Sequence, residues 1–523
     1  MPNGFEQLVA EKNEQRTLQR LFGGYRFWGL LIYSISILLI TSIIASRKHL
    51  WWDEICAFYV ANSPNIGAMW HALSSGIDWQ TPTYYLPLHY LCMWFGPSEL
   101  VMRLIAIVPY WLATLVLYFT VARRTAPVYG FIAMLFPSLT GAFNYSFEAR
   151  PYGLVLLFTA CTLLCWQLAK EQRFRRMALP ALSISLAAAV CVHYNACLVA
   201  VPLLIGEGVA WLYRRKLDVP VILAICCAAI PVMALLPHIL IIVRFSKAYL
   251  ASTGIGALAE IYSELFPRFT VLGAAAVCVG LAVWFAYERA KNRTIDRNPG
   301  RRPASDEYVL TITATAAFLL LPIVYFCLSF MTRTLYVRYV IETVIGCAIF
   351  LAFVLYDARR TVPHLASVVL IMSIIGTLTY AAKRIRHPDD VVWGSFAFYS
   401  ELFDRNNKPL YESKDLLLLG GGSYLLSLRY GDEDLRRRSV YVVSDPEAKP
   451  IAFSLADRIF YQALAPLLPG KVHLLTYAAL KQHRHFQMYS ADPWLFDRLL
   501  ADGEVIRVQA YLEHGPLYSV DIQ

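Results

Sequence analysis

A series of apolar runs, each about 20 residues long, constrains this chain most strongly. A run of that length spans the hydrocarbon core of a bilayer as a helix, and short basic segments separate the runs. With 58% hydrophobic residues and a mean hydropathy of +0.48, the 523-residue chain is too apolar for a soluble protein. The sequence therefore predicts a polytopic α-helical membrane protein.

Hydropathy predicts about eleven transmembrane helices between residues 28 and 382. They are 28–46, 99–122, 127–146, 151–169, 177–194, 196–213, 219–243, 270–287, 309–330, 338–356 and 363–382. Residues 1–27 precede them as a polar segment. A long connection at 47–98 follows the first span and contains two amphipathic stretches, 54–73 and 82–95. We expect both stretches to form helices along the membrane face.

Lysine and arginine residues predict how the spans are oriented. They cluster before the first span and after every even-numbered span, and cytoplasmic loops are the ones enriched in these residues. This pattern predicts a cytoplasmic N-terminus in the plasma (inner) membrane, with the 47–98 loop outside. The net charge of +10 comes from these loops, so it does not indicate a nucleic-acid partner.

Residues 383–523 have no apolar run long enough to span a membrane, and short apolar segments alternate there with amphipathic ones. We expect an extracytoplasmic α/β domain, because an odd number of spans precedes it. The predicted strands and helices are 416–419, 424–429, 440–443, 452–464, 472–474 and 493–501, followed by a hairpin of 505–511 and 517–522. The glycines Gly420, Gly421 and Gly422 after the first strand fit a structural turn or a phosphate cradle.

The stretch Trp51-Trp52-Asp53-Glu54 directly follows the first span at the outer face. Tryptophan is typical of the membrane interface. The adjacent carboxylates fit three interpretations: a catalytic base with its helper, a pair of metal ligands, or a solvated loop.

Further polar residues lie at the outer ends of distant spans. Each has a structural interpretation, as a helix cap, a satisfied interfacial histidine or a snorkelling arginine, and a functional one as a contact to phosphate or sugar. They are Arg103, Glu148, Arg150, His193, Tyr194, Arg333, Arg338 and Tyr339.

Together these motifs resemble the GT-C class of membrane glycosyltransferases. The resemblance is closest to the bacterial branch that includes protein O-mannosyltransferases, aminoarabinose–lipid A transferases and lipopolysaccharide galacturonosyltransferases, and it covers about residues 25–385. The motifs are Trp52-Asp53-Glu54, Thr81-Pro82-Thr83-Tyr84-Tyr85, Gly96-Pro97-Ser98-Glu99 before Arg103-Leu104, Glu148-Ala149-Arg150-Pro151-Tyr152-Gly153, His193-Tyr194 and Arg338-Tyr339. One departure is Gln80-Thr81-Pro82-Thr83, where relatives often carry His-Pro-Pro.

The resemblance implies a monosaccharide donor linked to a polyprenyl phosphate, and transfer with inversion to a glycan, lipid or protein acceptor at the outer face. It implies that Asp53 is the catalytic base and that Glu54 and Glu148 orient the sugar or acceptor. In some relatives such carboxylates hold a divalent metal ion, which makes Glu54 and Glu148 candidate metal ligands here. The residues implied for donor phosphate or sugar binding are Arg103, Arg150, His193, Tyr194, Arg338 and Tyr339.

Two other functions fit a polytopic protein. A transporter or flippase of lipid-linked sugars would carry charged residues near the middle of the bilayer, whereas the polar clusters here lie at one face. A structural membrane protein with a sensory outer domain would not explain why Asp53, Glu148 and the arginines share that face. The sequence therefore favours the transferase.

Overall fold

The computed structural model describes residues 24–246, 255–267, 305–332, 335–359, 362–389, 400–403, 408–411, 415–443, 464–468, 474–489, 491, 493–513 and 515–523. The α-helices before residue 390 are, in chain order, α1 (Tyr25–Arg47), α2 (Trp52–Ala61), α3 (Ile66–Ser74), α4 (Pro82–Phe95), α5 (Glu99–Ala122), α6 (Pro127–Leu135), α7 (Tyr152–Ala169), α8 (Arg175–Val192), α9 (Ala200–Arg214), α10 (Val219–Cys226), α11 (Ala229–Ser246), α12 (Ile255–Leu265), α13 (Ser305–Ala317), α14 (Leu321–Thr332), α15 (Thr343–Ala358) and α16 (Leu365–Arg386). Short 3₁₀ segments connect several of them, at Phe136–Leu139, Gly141–Phe147, Tyr194–Val199, Phe318–Leu320 and Val337–Val340.

Eight helical segments of the described part of the chain are long and apolar enough to cross a membrane. They are Tyr25–Arg47, Glu99–Ala122, Tyr152–Ala169, Arg175–Val192, Tyr194–Arg214, Val219–Leu240, Tyr308–Phe330 and Leu365–Arg386. Each corresponds to one predicted span, which confirms a polytopic helical membrane protein. The predicted spans 127–146 and 338–356 contain shorter apolar helices, Pro127–Leu139 and Thr343–Ala358. The predicted span 270–287 lies outside the described residues.

The connection after α1 is helical, as the amphipathic pattern predicts. Its first stretch forms two helices rather than one, because Ser63 and Pro64 separate α2 from α3 and the Asn65 side chain caps α3 by accepting from Ala68 N at 2.8 Å. α4 buries Tyr84 and Tyr85 on one face and exposes Trp94 and other apolar residues on the opposite face. Such a two-faced helix fits a position along a membrane surface.

The C-terminal part contains a six-stranded mixed sheet in the order β3-β2-β1-β4-β6-β5. Its elements are β1 (Leu416–Leu419), α17 (Gly421–Tyr430), α18 (Glu433–Arg438), β2 (Ser439–Val442), β3 (Leu474–Leu475), α19 (Tyr477–Leu480), β4 (His485–Tyr489), α20 (Pro493–Ala501), β5 (Val505–Leu512) and β6 (Gly515–Asp521). The pairs β1–β2, β1–β4 and β2–β3 are parallel, and the pairs β4–β6 and β5–β6 are antiparallel.

The sequence predicts most of this sheet. The strands at 416–419 and 440–443, the helix at 493–501 and the closing hairpin are confirmed within one or two residues, and the glycines after β1 form the turn into α17. Of the predicted strand at 472–474 only Leu474 lies within the described residues, and it belongs to β3, which ends at Leu475; the predicted helix at 452–464 lies almost entirely outside the described residues. Strand β4 was not predicted, although it lies in the middle of the sheet.

The sheet region packs directly on the 47–98 connection. One hydrophobic cluster includes Leu50, Ile55 and Val60 from that connection together with Tyr424 and Leu425 from α17. At its edge, the Tyr430 hydroxyl accepts from Leu50 N at 3.0 Å, and Arg429 pairs with Glu99 at 3.0 Å. The α/β region and the 47–98 connection therefore lie at the same end of the helical bundle.

Candidate functional site

The two adjacent carboxylates lie in the first turn of α2, which begins after Trp51. Acidic residues are favourable there because the helix N-terminus carries a partial positive charge. Successive residues of an α-helix point about 100° apart, so the two side chains face different surroundings. The Asp53 side chain is 17% exposed, whereas that of Glu54 is fully buried.

Asp53 faces two arginines from distant parts of the chain. Arg338 Nη1 lies 3.2 Å from Asp53 Oδ2, and Arg150 Nη2 lies 3.6 Å from the same oxygen. Arg150 Nη1 also donates to the backbone oxygen of Asp53 at 3.2 Å. Because Arg338 is 18% exposed and Arg150 only 3%, Arg338 is the more accessible of the two guanidinium groups.

Arg150 is held in place by a further carboxylate. Its Nη1 and Nη2 donate to the two oxygens of Asp78 at 2.7 and 3.3 Å, a bidentate arrangement that fixes the guanidinium plane. The Tyr85 hydroxyl donates to Asp78 Oδ2 as well. The group Tyr85, Asp78, Arg150, Asp53 and Arg338 thus forms a continuous chain of polar contacts.

Glu54 is enclosed by partners. Arg103 Nε and Nη2 donate to its two oxygens at 2.8 and 2.7 Å, and Ala149 N donates to Oε1 at 2.6 Å. Burial would raise the pKa of this carboxyl, but the charges of Arg103 and Lys48 outweigh burial and lower the pKa to about 2. Glu54 is therefore an ionised, fully paired carboxylate.

Glu148 lies beside this pair but is less completely neutralised. Lys48 Nζ is 3.0 Å from Glu148 Oε1 and 3.6 Å from Glu54 Oε2, so one buried ammonium serves both carboxylates. Burial raises the pKa of Glu148, and Lys48 offsets the effect only in part. Its other oxygen, Oε2, has no hydrogen-bond partner among the described residues.

Arg103, predicted to contact donor phosphate or sugar, lies in a closed set of protein contacts. Besides its two bonds to Glu54, its Nη1 donates to the carbonyls of Ala45 and Lys48 at 2.5 and 2.6 Å, and its Nη2 to that of His49 at 3.0 Å. Its side chain is fully buried. These bonds attach the C-terminal end of α1 to α5, so Arg103 stabilises the fold at this place.

His193, Tyr194 and Tyr339 form an aromatic cluster next to Arg338. The imidazole stacks on Tyr194, with ring centroids 5.1 Å apart and planes inclined by 18°, and it lies 5.2 Å from the Tyr339 ring. The Tyr152 ring is 5.7 Å away from the imidazole. The Arg338 Cζ lies 5.7 Å from the Tyr339 centroid, which connects this cluster with Asp53.

Close packing between helices brings Arg150 and Tyr152 to this place. A Cβ added at Gly153 would collide with the carbonyl oxygen of Ala106, so α7 approaches α5 at a distance that only glycine permits. The preceding residues 148–151 therefore lie against the end of α5 and beside α2. This contact explains why the motif ends in glycine.

The predicted site residues fall into two adjoining groups. The first, which we call the Asp53 group, contains Asp53, Arg150, Arg338, Tyr339, His193 and Tyr194. The second, the Glu54 group, contains Glu54, Glu148 and Arg103. Arg333 lies outside the described residues.

Three further residues of the site, which contact these groups directly or through one another, were not predicted: Lys48, Asp78 and Tyr85. Lys48 had a signal in the sequence, since a lysine at the outer end of a span runs against the positive-inside pattern. Asp78 also had one, because it is an acidic residue in a loop otherwise rich in tryptophan, threonine and tyrosine. Tyr85 had none beyond its place in a tyrosine pair.

The candidate metal ligands Glu54 and Glu148 already have cationic partners. Lys48 and Arg103 neutralise them, and among the residues that the structure describes no group of three or more histidine, cysteine, aspartate or glutamate side chains is arranged to hold a metal ion. A divalent cation would have to displace a buried ammonium or guanidinium. This donor set does not fit a metal ion as it stands.

One family model matches a segment of the membrane part. Residues 80–241 match the family model described as dolichyl-phosphate-mannose-protein mannosyltransferase, and they include Arg103, Glu148, Arg150, His193 and Tyr194. No curated protein matches the chain.

Two solved structures are similar to the chain at low sequence identity. ArnT from Cupriavidus metallidurans bound to undecaprenyl phosphate is 12% identical, with 94% of this chain and 98% of that chain covered and a TM-score of 0.48. The Archaeoglobus fulgidus oligosaccharyltransferase in complex with Zn and sulfate is 11% identical, with 87% and 67% covered and a TM-score of 0.42.

The family match confirms the resemblance drawn from the motifs. Over residues 80–241 the chain is similar to this family of glycosyltransferases.

Proposed function

We propose that the chain transfers a monosaccharide from a polyprenyl-phosphate donor to a glycan, lipid or protein acceptor of the cell envelope, at the outer face of the membrane and with inversion. The observation that carries this proposal is the position of Asp53. It is a partly exposed carboxylate 3.2 Å from the partly exposed Arg338 and 3.6 Å from the buried Arg150. A base and two cations at one place are what transfer from a lipid phosphate requires.

Asp53 acts as the general base in this proposal. Its carboxylate takes the proton of the acceptor hydroxyl while that oxygen attacks the anomeric carbon of the sugar. The bond between the anomeric carbon and the phosphate oxygen breaks on the opposite side, and the electron pair leaves with the polyprenyl phosphate. Because there is one displacement, the configuration inverts. No strong general acid is needed, since a phosphate is already a good leaving group.

Arg338 stabilises the negative charge that develops on the phosphate. A guanidinium group is suited to phosphate oxygens because its donors form a planar fork. In the described arrangement Arg338 pairs with Asp53, and an incoming phosphate would compete for that guanidinium. Donor binding would therefore loosen the hold on Asp53 and make its carboxylate available as a base.

Arg150 is the fixed cation of the site. Asp78 binds both of its terminal nitrogens, and Tyr85 in turn donates to Asp78. We propose that Asp78 and Tyr85 are positioning residues, which keep one positive charge next to Asp53 when Arg338 turns to the phosphate.

The Glu54 group adjoins the Asp53 group and holds its backbone in place. Glu54 binds Ala149 N, the amide that precedes Arg150, and Arg103 ties the same carboxylate to the end of α1. We assign Glu54, Glu148, Lys48 and Arg103 to positioning of α2 and of residues 148–150. No step of the proposed reaction passes through a metal ion.

The α/β region shares a hydrophobic core with the connection that carries Asp53. The division into 1–27, 28–382 with the outer loop 47–98, and 383–523 is part of this proposal. The shared core supports an extracytoplasmic location for the α/β region, if the basic clusters mark the cytoplasmic side. The acceptor would then approach from the side on which this region lies.

A comparison of cell-envelope glycans tests the proposal. Mass spectrometry of envelopes with and without the gene is expected to show the loss of one monosaccharide unit and the accumulation of its lipid-linked donor. Restoring the wild-type gene should return the unit. Identical envelope glycans in a strain that makes the donor would contradict the proposal, and loss of donor from the outer leaflet alone would favour a flippase.

A further inference from the structure

Two buried polar groups in the aromatic cluster have no hydrogen-bond partner among the described residues. They are the Nε2 atom of His193 and the hydroxyl of Tyr152, in side chains that are 2% and 1% exposed. Leaving such a group unpaired is unfavourable, and buried polar groups are normally paired. Two of them with rings 5.7 Å apart indicate a place where a ligand supplies the missing partner.

The hydrogen bond at Nδ1 of His193 determines whether its Nε2 is a donor or an acceptor. Asn195 N donates to Nδ1 at 3.3 Å, so Nδ1 is an acceptor and the proton of the neutral ring lies on Nε2. Burial, together with the charges of the nearby Arg150 and Arg338, lowers the pKa of His193 to about 3. The ring is therefore a neutral group with one unused N–H donor.

The Tyr152 hydroxyl is complementary to that donor, because a hydroxyl both donates and accepts. Around the two groups lie the rings of Tyr194, Tyr339 and Tyr145, with the Tyr145 centroid 5.0 Å from that of Tyr152. Aromatic walls with a few placed polar groups are typical of small-molecule sites. A sugar ring matches them, since it combines apolar C–H faces with a rim of hydroxyl groups.

The cluster also lies next to the reacting groups. Tyr339 contacts His193 and follows Arg338, which pairs with Asp53 at 3.2 Å. When the phosphate of the donor binds Arg338, the sugar bonded to that phosphate lies directly beside it. The aromatic cluster is within that reach, whereas Glu54 and Arg103 are enclosed by protein contacts.

We propose that His193 Nε2–H and the Tyr152 hydroxyl bind hydroxyl groups of the donor's sugar, and that they select a sugar that is uncharged there. This proposal rests on the proposed transferase function and specifies its substrate class. An ammonium group at that position would face an N–H donor and two guanidinium groups, with no acceptor on the imidazole. A sugar with a free amino group is therefore disfavoured against its hydroxyl counterpart.

Two variants test the assignment with minimal change of shape. Tyr152→Phe removes one hydroxyl, and His193→Phe keeps an aromatic ring but removes the N–H group. Each is expected to raise KM for a polyprenyl-phosphate hexose by roughly threefold to tenfold, the effect of one neutral hydrogen bond. His193→Gln, which can place an amide N–H nearby, should recover part of the loss. Inhibition by polyprenyl phosphate without a sugar should change less than twofold in all three.

Thr159→Val is the matched control. Thr159 lies on α7 two turns beyond Tyr152, and its hydroxyl is equally buried and without a hydrogen-bond partner in the described part of the chain. Removing it should leave KM unchanged. In the ligand-free protein Tyr152→Phe should leave the melting midpoint unchanged or raise it, because no internal bond is lost.

Three results would overturn the inference. One is a KM within twofold of wild type for both phenylalanine variants. The second is an equal loss of affinity for polyprenyl phosphate without sugar, which would assign the groups to the phosphate. The third is a lower melting midpoint for Tyr152→Phe, which would show an internal partner. If the wild-type protein transfers no sugar from any lipid-phosphate donor, the proposed function fails and this inference fails with it.

Discussion

Neighbouring carboxylates in the first turn of α2 differ in what they can do because one rotation of about 100° separates them. Asp53 reaches the surface of the site and shares its charge with arginines that a phosphate can draw away. Glu54 points inward, where Arg103 and Lys48 surround it completely. We therefore propose that Asp53 takes part in the chemistry and that Glu54 gives structural support.

Glu54→Gln should destabilise the protein by about 3–5 kcal/mol, because it leaves the buried charge of Arg103 without its counter-ion and Lys48 with Glu148 alone. The melting midpoint of the detergent-purified protein measures this. Glu433→Gln is the matched control, since Glu433 is 89% exposed in its ion pair with Arg437 and should have little effect. A Glu54→Gln protein as stable as wild type but inactive would instead make Glu54 a catalytic residue.

His193 should make the protein less stable in mild acid. Its pKa of about 3 in the folded protein lies below the usual 6.5, so the unfolded chain takes up a proton first as the pH falls. Stability is then lost progressively from about pH 6.5 downward. His193→Gln should flatten the fall of the melting midpoint between pH 7 and pH 5. An unchanged slope in this variant would mean that His193 does not contribute.

At the scale of elements, the contact between α2 and α17 connects the site to the α/β region. Tyr430 accepts from Leu50 N and donates to Glu99 Oε1 at 3.1 Å, just before α2 and at the start of α5. The C-terminal region therefore holds the helix that carries Asp53.

Tyr430→Phe should lower the melting midpoint, with a loss of about 1–3 kcal/mol, because Leu50 N is buried and would have no partner. It should also reduce turnover, since α2 is less firmly held. Tyr511→Phe, in a side chain that is 84% exposed, provides the comparison and should change neither quantity. Equal behaviour of the two variants would contradict the supporting function of this contact.

Sequence patterns predicted the elements whose signal is local. An apolar run is enough to predict a transmembrane span, and the eight long helices coincide with predicted spans. Strand β4 was missed because His485 and Gln487 interrupt its apolar pattern. Its identity as a strand depends on β1 and β6, which pair with it from about 70 residues before and 30 residues after. Such pairing is invisible in a local window.

The site was predicted in part for the same reason. Asp53, Arg150 and Arg338 have a visible signal, namely charge at the outer end of a span. Which charges pair could not be predicted, because the pairing joins residues up to 285 positions apart (338 − 53). Asp78 and Lys48 gain their importance only from those long-range partners.

At the scale of the whole molecule, the shared core of the α/β region and the 47–98 connection restricts the number of crossings between them. Both lie at one face, so the chain from α5 to α16 must cross the membrane an even number of times. Seven long candidates lie in this range (eight less α1), and the two shorter apolar helices make nine. The span predicted at 270–287 would supply the tenth.

Reporter fusions test this count. A reporter active only in the cytoplasm should be active when fused at residue 295, within the basic stretch after the predicted span, and silent when fused at residues 80 and 523. If the fusions at residues 295 and 523 are both active while the fusion at residue 80 is silent, the chain crosses the membrane an odd number of times between the 47–98 connection and the α/β region. That result would refute the even number. Activity at 80 and 523 with silence at 295 would reverse the whole orientation.

If Asp53 is the base of a sugar transfer from a lipid phosphate, removing its basicity slows the transfer step itself, and single-turnover kinetics measures that step. Purified wild-type and Asp53→Asn proteins are mixed with a polyprenyl-phosphate sugar and an acceptor-containing envelope extract. We expect Asp53→Asn to bind the donor but to transfer sugar at least about 10²-fold more slowly, because the shape is kept and the basicity is lost. Transfer by Asp53→Asn at a rate close to wild type would contradict the claim.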